Sequence, residues 1–350
     1  MKGRATCRLL VLLLLSGAGC GQLPPPATVT PTAPLPPRIP SATFQGLTAM
    51  APTQVNAETW LAENLDRVSQ ERLMADVIAL SAIPTRHVNS PGIGLAADQL
   101  AAAFDAAGAR MIEDIFSLEF GGVVTQQRNV LAVIPGSDPS AGAILLGAHY
   151  DSRTVDIGDW IDAAPGANDN ATGAAVLLEL ARLLADYEPR ATIYLVAFAA
   201  EETGLQGSRH FVESGQASDV RVMVALDIVG NSRGPDGPNA LRVFSPGPVD
   251  SPSRRLALWL ARRGAVWTPQ MPVLVQDAID RPGRYSDHVP FAEAGAAVIR
   301  LIEEGERTDL QHNALDTPDR LDPPYLRRVA QLALVAAVEL AADPGAFLGE

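Results

Sequence analysis

The stretch AILLGAHYDSRTVDIGDW, residues 143–160, changes from apolar to polar within a few positions. Its first half has the continuous apolar character of a strand that is covered on both faces of a sheet. His149 and Asp151 stand where this strand ends, and an imidazole paired with a carboxylate is common at metal sites. Because ligands bind beyond the carboxyl ends of strands in open α/β sheets, the stretch predicts a functional site at this position.

Strand-like and helix-like segments alternate along the rest of the chain. After two predicted helices, residues 57–80 and GLAADQLAAAFDAAGA, the further predicted strands are NVLAVIPG, ATIYLVAFAAEE, VRVMVALDIVG and GAAVIRLIEE. The helices between and after them are GAAVLLELARLLADY, GLQGSRHFVES, SPSRRLALWLARRG and DPPYLRRVAQLALVAAVELAA. This alternation predicts an α/β fold, a three-layer sandwich in which helices flank a mixed, largely parallel central sheet.

The composition limits the classes of partner and of metal site. The chain has 350 residues, of which 47% are hydrophobic, so it is long enough to bury a large core. Its formal net charge of -13 argues against a nucleic-acid partner, since phosphate binding requires a basic surface. The two cysteines are Cys7 and Cys20, both near the N-terminus, so any metal must be held by His, Asp and Glu.

The N-terminal region predicts export. Residues 1–19 combine basic residues, a short apolar run and small residues, which is the pattern of a secretory signal peptide. Because the small residues lead directly to Cys20, the segment resembles a bacterial lipoprotein signal, in which that cysteine is lipidated. Ordinary secretion is the alternative. Residues 20–55 form a Pro/Thr-rich linker, so we expect a catalytic domain at residues 56–350 to be tethered to a membrane on its extracytoplasmic side.

Five polar residues at predicted element boundaries offer the ligands of a metal site: His149, Asp169, Glu202, Asp227 and His312. Each alone has an ordinary structural explanation, such as a polar strand end or a solvated turn. Their joint occurrence in this order is difficult to explain without a shared function. Two imidazoles and three carboxylates without a thiolate suit zinc, and the same set can also bind cobalt or manganese.

The adjacent pair Glu201 and Glu202 indicates the chemistry of the site. Neighbouring residues on an extended segment point in different directions, so one carboxylate can bind a metal while the other faces a water molecule. Zinc lowers the pKa of its bound water to about 7, and a nearby carboxylate can then accept the proton as general base. Asp151 is expected to accept a hydrogen bond from the imidazole of His149 and so to fix its tautomer.

Five motifs, GAHYDS, GANDNATG, EETGLQGS, LDIVG and HNALDT, together resemble those of the co-catalytic di-zinc exopeptidases. This family includes bacterial secreted leucyl aminopeptidases and relatives of glutamate carboxypeptidase II. The resemblance extends over residues 56–342, nearly all of the predicted domain. It implies the zinc exopeptidase fold and two zinc ions in each chain.

The resemblance also implies a role for each ligand. One zinc ion would be bound by His149 and Asp227 and the other by Glu202 and His312, with Asp169 bridging the two. Glu201 would be the general base. The chain departs from the family at the last ligand, where members often have Tyr-His-Thr and this sequence has QHN.

Further residues are implied to act around the two ions. Asp151 and Asp316 would support the ligands through hydrogen bonds. The segment YSDHVPFAEAGAAVIRL resembles the family's Ser-Asp-His segment, so Asp287 and His288 are expected to line the site near the substrate. Tyr285 is the candidate for stabilising the tetrahedral oxyanion, with a purely structural tyrosine as the alternative.

The sequence therefore predicts zinc-dependent hydrolysis of peptide bonds, in which a metal-activated water removes N-terminal amino acids from a peptide or aminoacyl substrate. Three alternatives stay open. A carboxypeptidase of the same fold would need cations for acidic C-termini, and Arg153, Arg281 and Arg284 are candidates. A glutaminyl cyclase-like transferase would use the fold with one zinc ion, and a non-catalytic binding lipoprotein would have lost a ligand or the base.

Overall fold

An eight-stranded mixed sheet lies at the centre of the structure, which is a computed structural model. It describes residues 56–231, 233–234, 237–238, 240–278 and 285–348. The predicted signal peptide, Cys20 and the linker lie outside these residues, as do Arg281 and Arg284, so the predictions made for them stay predictions. The described residues belong to one compact unit.

The described strands are β1 (Arg110–Phe120), β2 (Val123–Ile134), β3 (Ala143–His149), β4 (Thr192–Phe198), β5 (Val220–Leu226), β6 (Arg233–Gly234), β7 (Gly237–Pro238), β8 (Leu241–Phe244), β9 (Val273–Gln276) and β10 (Ala297–Glu303). The main sheet has the order β1-β2-β4-β3-β5-β10-β8-β9, and β6 pairs with β7 in a separate ribbon. The central strands β4, β3, β5 and β10 run parallel, whereas the pairs β1–β2, β2–β4 and β10–β8 are antiparallel. The predicted mixed, largely parallel sheet is confirmed.

The described α-helices are α1 (Ala57–Asn64), α2 (Gln70–Ser81), α3 (Pro91–Ala106), α4 (Thr172–Leu184), α5 (Gln206–Glu213), α6 (Pro252–Trp267), α7 (His288–Glu293) and α8 (Pro323–Ala342). Alternate residues of β3 enter two separate cores, Ile144 and Leu146 one core and Leu145 the other. The second core contains Phe211 of α5 and Phe291 of α7, and the first is formed with the longer helices. Helices thus cover both faces of the sheet, as the three-layer prediction requires.

Both faces being covered explains why the central strands carry continuous apolar runs, and every residue of β3 and β10 is buried. Among the described residues, no helix combines the length and the apolar character that are needed to cross a membrane.

Two features of the fold differ from the pattern in the sequence. The helical spacing over residues 57–80 belongs to two helices, because Ser69 adopts an extended conformation and its Oγ caps α2 by accepting the Arg72 N–H. The strands β1, β8 and β9 were not predicted. They lie toward the edges of the sheet, where β1 alternates exposed and buried residues and β8 and β9 have only four residues each.

The buried side chain of Arg86 joins segments on both sides of the sheet's carboxyl edge. Its Nε donates to the carbonyl oxygen of Tyr150 at 2.6 Å, and its Nη2 donates to that of Gly166 at 2.9 Å. Burial lowers the pKa of this guanidinium to about 10. Since Tyr150 directly follows β3 and Gly166 precedes the turn with Asp169, Arg86 fixes two segments that carry predicted site residues.

Candidate active site

Two pairs of imidazole and carboxylate groups meet on opposite sides of Asp169, beyond the carboxyl ends of the parallel strands. His149 Nε2 lies 3.2 Å from Asp169 Oδ1 and 3.4 Å from Asp227 Oδ1. His312 Nε2 lies 3.2 Å from Asp169 Oδ2 and 3.1 Å from Glu202 Oε1. The fold therefore brings together all five residues that the sequence offers as metal ligands.

The spacing of these atoms fits two zinc ions. Bonds of about 2.0–2.1 Å place neighbouring ligands of a tetrahedral zinc about 3.3–3.4 Å apart. The four separations here lie between 3.1 and 3.4 Å. Glu202 Oε1 and Asp227 Oδ1 are buried, yet neither accepts a hydrogen bond from a described residue. Buried carboxylate oxygens without a donor are unfavourable, and a cation bound beside each oxygen would compensate for this.

Asp151 connects the end of β3 to the segment that follows β4. Its Oδ1 accepts the backbone N–H of Glu201 at 3.0 Å, and its Oδ2 accepts that of Glu202 at 3.1 Å. Nδ1 of His149 lies 3.2 Å from the backbone oxygen of Asp151, which is its hydrogen-bond partner, and 3.4 Å from Asp151 Oδ1. Asp151 therefore contacts His149 through its backbone oxygen, whereas its carboxylate positions the Glu201–Glu202 pair.

Asp316 holds the turn that carries Asp169. Its two carboxylate oxygens accept the backbone N–H groups of Asn168 at 2.8 Å and of Asp169 at 3.0 Å. The Asn168 side chain donates in turn to Glu303 Oε2 at the end of β10, at 3.0 Å. The peptide bond between Asp169 and Asn170 is cis. Sequence reasoning missed Glu303, although an acidic residue at the end of a buried, largely apolar strand was a signal that could have revealed it.

Backbone conformation is unusual at several positions of the site. Ala200, Ile228 and His312 have φ angles of 58°, 60° and 58°, in the left-handed region that residues other than glycine seldom adopt. Such conformations concentrate at functional sites, where the surrounding structure maintains them. At Gly173 a Cβ atom would lie 2.7 Å from the carbonyl oxygen of Leu226, so only glycine allows α4 to begin against the end of β5.

A cleft of about 820 Å³ opens over the ligands. The five ligands and Glu201 line it together with apolar side chains, among them Val155, Leu205 and Val289. Its size falls within the range of pockets that enclose small organic ligands. A water molecule or a short peptide end can therefore reach both Glu201 and the ligand oxygens.

Among the described residues, three arginines line the cleft, and each is paired with a carboxylate. The sequence offered Arg153 as a binding residue, but its Nε lies 2.7 Å from Glu202 Oε2. Arg300 Nη2 lies 2.8 Å from Asp227 Oδ2. The third pair, Arg209 with Glu293, lies at 3.1 Å and is largely exposed. Sequence reasoning missed Arg300, although an arginine in the middle of the buried strand β10 requires a buried partner.

The crowding of charges shifts the pKa values of the site in opposite directions. Burial raises the pKa of Glu201 well above its usual range, and the carboxylates of Glu202 and Asp227 add to this against the opposing effect of His149. Burial also disfavours the ionised form of Asp227, but Arg300 and His149 outweigh it and lower its pKa to about 2. The two carboxylates therefore differ, because their surroundings favour the protonated form of Glu201 and the ionised form of Asp227.

The residues expected near the substrate lie at different depths. Tyr285 lines the cleft and is 55% exposed, so its hydroxyl is accessible from the cleft. Asp287 and His288 are both buried and do not line the cleft, but the carboxylate of Asp287 is close enough to His149 and Asp227 to interact with their charges, so their expected role near the substrate stays a prediction. Burial raises the pKa of Asp287 to about 7, and the His288 ring meets Phe244 edge-on.

Comparisons with known proteins agree with this geometry. A probable zinc metalloprotease of Leptosphaeria maculans is 33% identical over 328 residues, which cover 80% of this chain and 76% of the relative. The crystal structure of the Legionella pneumophila LapA aminopeptidase superposes with a TM-score of 0.67 at 23% identity, over 83% of this chain and 76% of that chain. An aminopeptidase from Aneurinibacillus sp. strain AM-1 superposes with a TM-score of 0.64 at 17% identity, over 80% of this chain and 96% of that chain.

The two structural likenesses establish the fold, and the sequence matches establish the family. Residues 129–337, more than half of the chain, match the family described as Peptidase family M28. This match contains all five candidate ligands and Glu201. The chain belongs to peptidase family M28.

Proposed function

We propose that this peptidase is an aminopeptidase that binds two zinc ions and releases the first residue of a peptide. The observation that carries the proposal is the position of Asp169, whose two oxygens each lie 3.2 Å from a different imidazole. One carboxylate placed in this way can bridge two ions, and paired ions about 3.5–4 Å apart are typical of aminopeptidases. The relative from Leptosphaeria maculans, named a probable zinc metalloprotease, supports zinc as the metal.

The residues of this chain supply three functions. Both imidazoles and the three ligand carboxylates hold the metal ions, and Asp151 and Asp316 fix the segments that carry these ligands. When bound, the two ions would polarise the scissile carbonyl and acidify a water molecule. Glu201, which lines the cleft beside Glu202, would accept the proton of that water and pass it to the leaving amine.

An N-terminal specificity is favoured by the charges around the cleft. All three arginines that line it, within the part of the chain that the structure describes, are paired with carboxylates. A carboxypeptidase needs a cation for the C-terminal carboxylate, whereas the acidic groups of this cleft suit a free amine. The two aminopeptidases among the structural neighbours support the same choice.

The experiment combines a metal count with three substrates. The purified protein should contain two zinc ions per chain and should hydrolyse aminoacyl chromogenic amides. Acyl-blocked amides of the same residue should not be cleaved, and a peptide with a blocked N-terminus and a free C-terminus should not lose its last residue. Cleavage of blocked substrates alone, or cyclisation of N-terminal glutamine without hydrolysis, would rule out the aminopeptidase in favour of its alternatives.

We also propose that the protein is exported and anchored through a lipid on Cys20. The support is the signal-like composition of residues 1–19 and the Pro/Thr-rich composition of residues 20–55. In a bacterial host, the full chain should incorporate labelled fatty acid and sediment with membranes. The Cys20→Ser variant should lose the label. If the full chain is released unlabelled into the medium, the protein is secreted without an anchor.

A further inference from the structure

On one side of the site, an arginine occupies the second oxygen of a ligand carboxylate. Arg153 Nε lies 2.7 Å from Glu202 Oε2, and the other oxygen, Oε1, lies 3.1 Å from His312 Nε2. Oε1 has no hydrogen-bond donor among the described residues. One oxygen of the Glu202 carboxylate is therefore paired with Arg153, and the other is left to bind a metal ion.

The other side of the site repeats this arrangement with different elements. Arg300, on β10, places Nη2 2.8 Å from Asp227 Oδ2, and Asp227 Oδ1 lies 3.4 Å from His149 Nε2. Oδ1 also lacks a donor among the described residues. Both side chains of this pair are 5% exposed. A buried arginine is unfavourable unless it is paired, so the ion pair of Arg300 with Asp227 is a strong constraint on that carboxylate.

We propose that Arg153 and Arg300 are positioning residues that each restrict one ligand carboxylate to a single metal bond, one at each metal position. The proposal rests on the two-metal function proposed above and concerns the chain's own residues. A carboxylate can bind a metal through one oxygen or through both. Each arginine pairs with one carboxylate oxygen and so keeps it from binding the metal. Each ion therefore keeps a coordination position that this second oxygen would otherwise fill.

A free coordination position is what distinguishes a catalytic zinc site from a closed structural one. The arginines also oppose the transfer of negative charge from these carboxylates to the ions, so the ions polarise a substrate carbonyl more strongly. Without the arginine, both carboxylate oxygens can turn toward the ion. The metal should then stay bound, but with more ligands and lower activity.

The experiment uses the metal-free protein titrated with Co²⁺, whose visible absorption weakens as its coordination number rises. The parent should bind two Co²⁺ per chain with intense absorption. Arg300→Met and Arg153→Met should each still bind two Co²⁺ but lose absorption intensity. Their kcat with an aminoacyl amide should fall by about 10–100-fold, as is typical for residues that orient ligands, while KM stays near that of the parent.

Arg209→Met is the matched control, because its arginine lines the same cleft but pairs with Glu293, which is not a ligand. Its Co²⁺ spectrum should equal that of the parent. If Arg300→Met does not fold, Arg153→Met still decides the question. The Arg153 side chain is 20% exposed, so its replacement should destabilise the fold less than that of Arg300.

Spectra identical to the parent in the Met variants that fold would overturn the proposal, and so would loss of a bound ion from those variants. A parent that fails to bind two ions, or that does not hydrolyse free-amine substrates, would instead refute the proposed function. The two failures are therefore distinguishable.

Discussion

Asp151 accepts the backbone N–H of Glu201 at 3.0 Å, and this bond joins the segments that follow two neighbouring parallel strands. The residue before Glu201, Ala200, has a left-handed backbone, so the direction of the Glu201 side chain depends on a conformation that needs such support. The same carboxylate lies 3.4 Å from His149 Nδ1. Asp151 thus contacts the candidate ligand His149 through its backbone oxygen at 3.2 Å and positions the proposed base through its carboxylate.

We expect Asp151→Asn to lower kcat by about 10–100-fold, the range typical for partners of metal ligands. An amide has one acceptor oxygen, so its NH₂ group would face the N–H of either Glu201 or Glu202, and one of the two bonds would be lost. Steady-state kinetics with an aminoacyl amide measures the effect. Asp156→Asn is the control, because that carboxylate is exposed on the following loop and should give parent activity. Equal kcat for both variants would contradict the role of Asp151.

Glu201→Gln should retain two zinc ions and lose activity. The amide cannot accept the proton of the attacking water, and general-base catalysis contributes about 10²–10⁴-fold. The zinc content of this variant should therefore equal that of the parent, whereas its kcat should fall. Glu213→Gln, on the exposed face of α5, should match the parent in both measurements. Undiminished turnover in Glu201→Gln would show that another group accepts the proton.

Removal of zinc should destabilise the protein, because five ligands that lie 3.1–3.4 Å apart lose the cations that compensate three buried carboxylates. With free zinc at about 1,000 times its dissociation constant, binding adds about 4 kcal/mol, and chelation should lower Tm by about 10 °C. Calorimetry measures Tm in the presence of chelator and again after zinc is restored, and the two values are compared. The Tm of Asp169→Ala should respond much less to chelator, and equal Tm values for the parent in both states would exclude a stabilising metal centre.

Arg86→Met should destabilise the fold without touching the cleft. The substitution leaves the buried carbonyl oxygens of Tyr150 and Gly166 without their donor, which costs about 1–3 kcal/mol for each group. We expect the free energy of unfolding to fall by about 2–6 kcal/mol in denaturant titrations. Arg110→Met, at an exposed position of β1, should change it by less than about 0.5 kcal/mol. Similar values for the two variants would mean that Arg86 is not a structural link.

The proximity of most candidate ligands was predictable because they mark element boundaries that the apolar pattern reveals, whereas His312 lies in the loop after β10. His149 ends β3, Asp227 follows β5 directly, and the Glu201–Glu202 pair follows β4 by two residues. Parallel strands bring such ends to the same edge of a sheet, so order along the chain predicts proximity in space. The edge strands β1, β8 and β9 were missed, because short or half-exposed strands have weak apolar patterns.

The partners of the ligands were less predictable. Arg300 stands on β10, and nothing in its local sequence indicates that Asp227 on another strand receives its charge. Arg153 appeared as a substrate-binding candidate, but the structure pairs it with Glu202. Asp287 and His288 belong to a segment that resembles an active-site motif, and nothing in that motif indicated that both side chains would be buried.

The sequence by itself determined the α/β class, the order of the strands' polar ends and the identity of the residues offered as ligands. These depend on hydrophobic periodicity and on residue chemistry, which are local properties of the chain. Only the tertiary structure decided which carboxylate oxygen faces an imidazole, which faces an arginine, and which polar residues are buried behind the cleft. Such pairings join segments that are far apart in sequence, and they follow from side-chain packing that no single segment encodes.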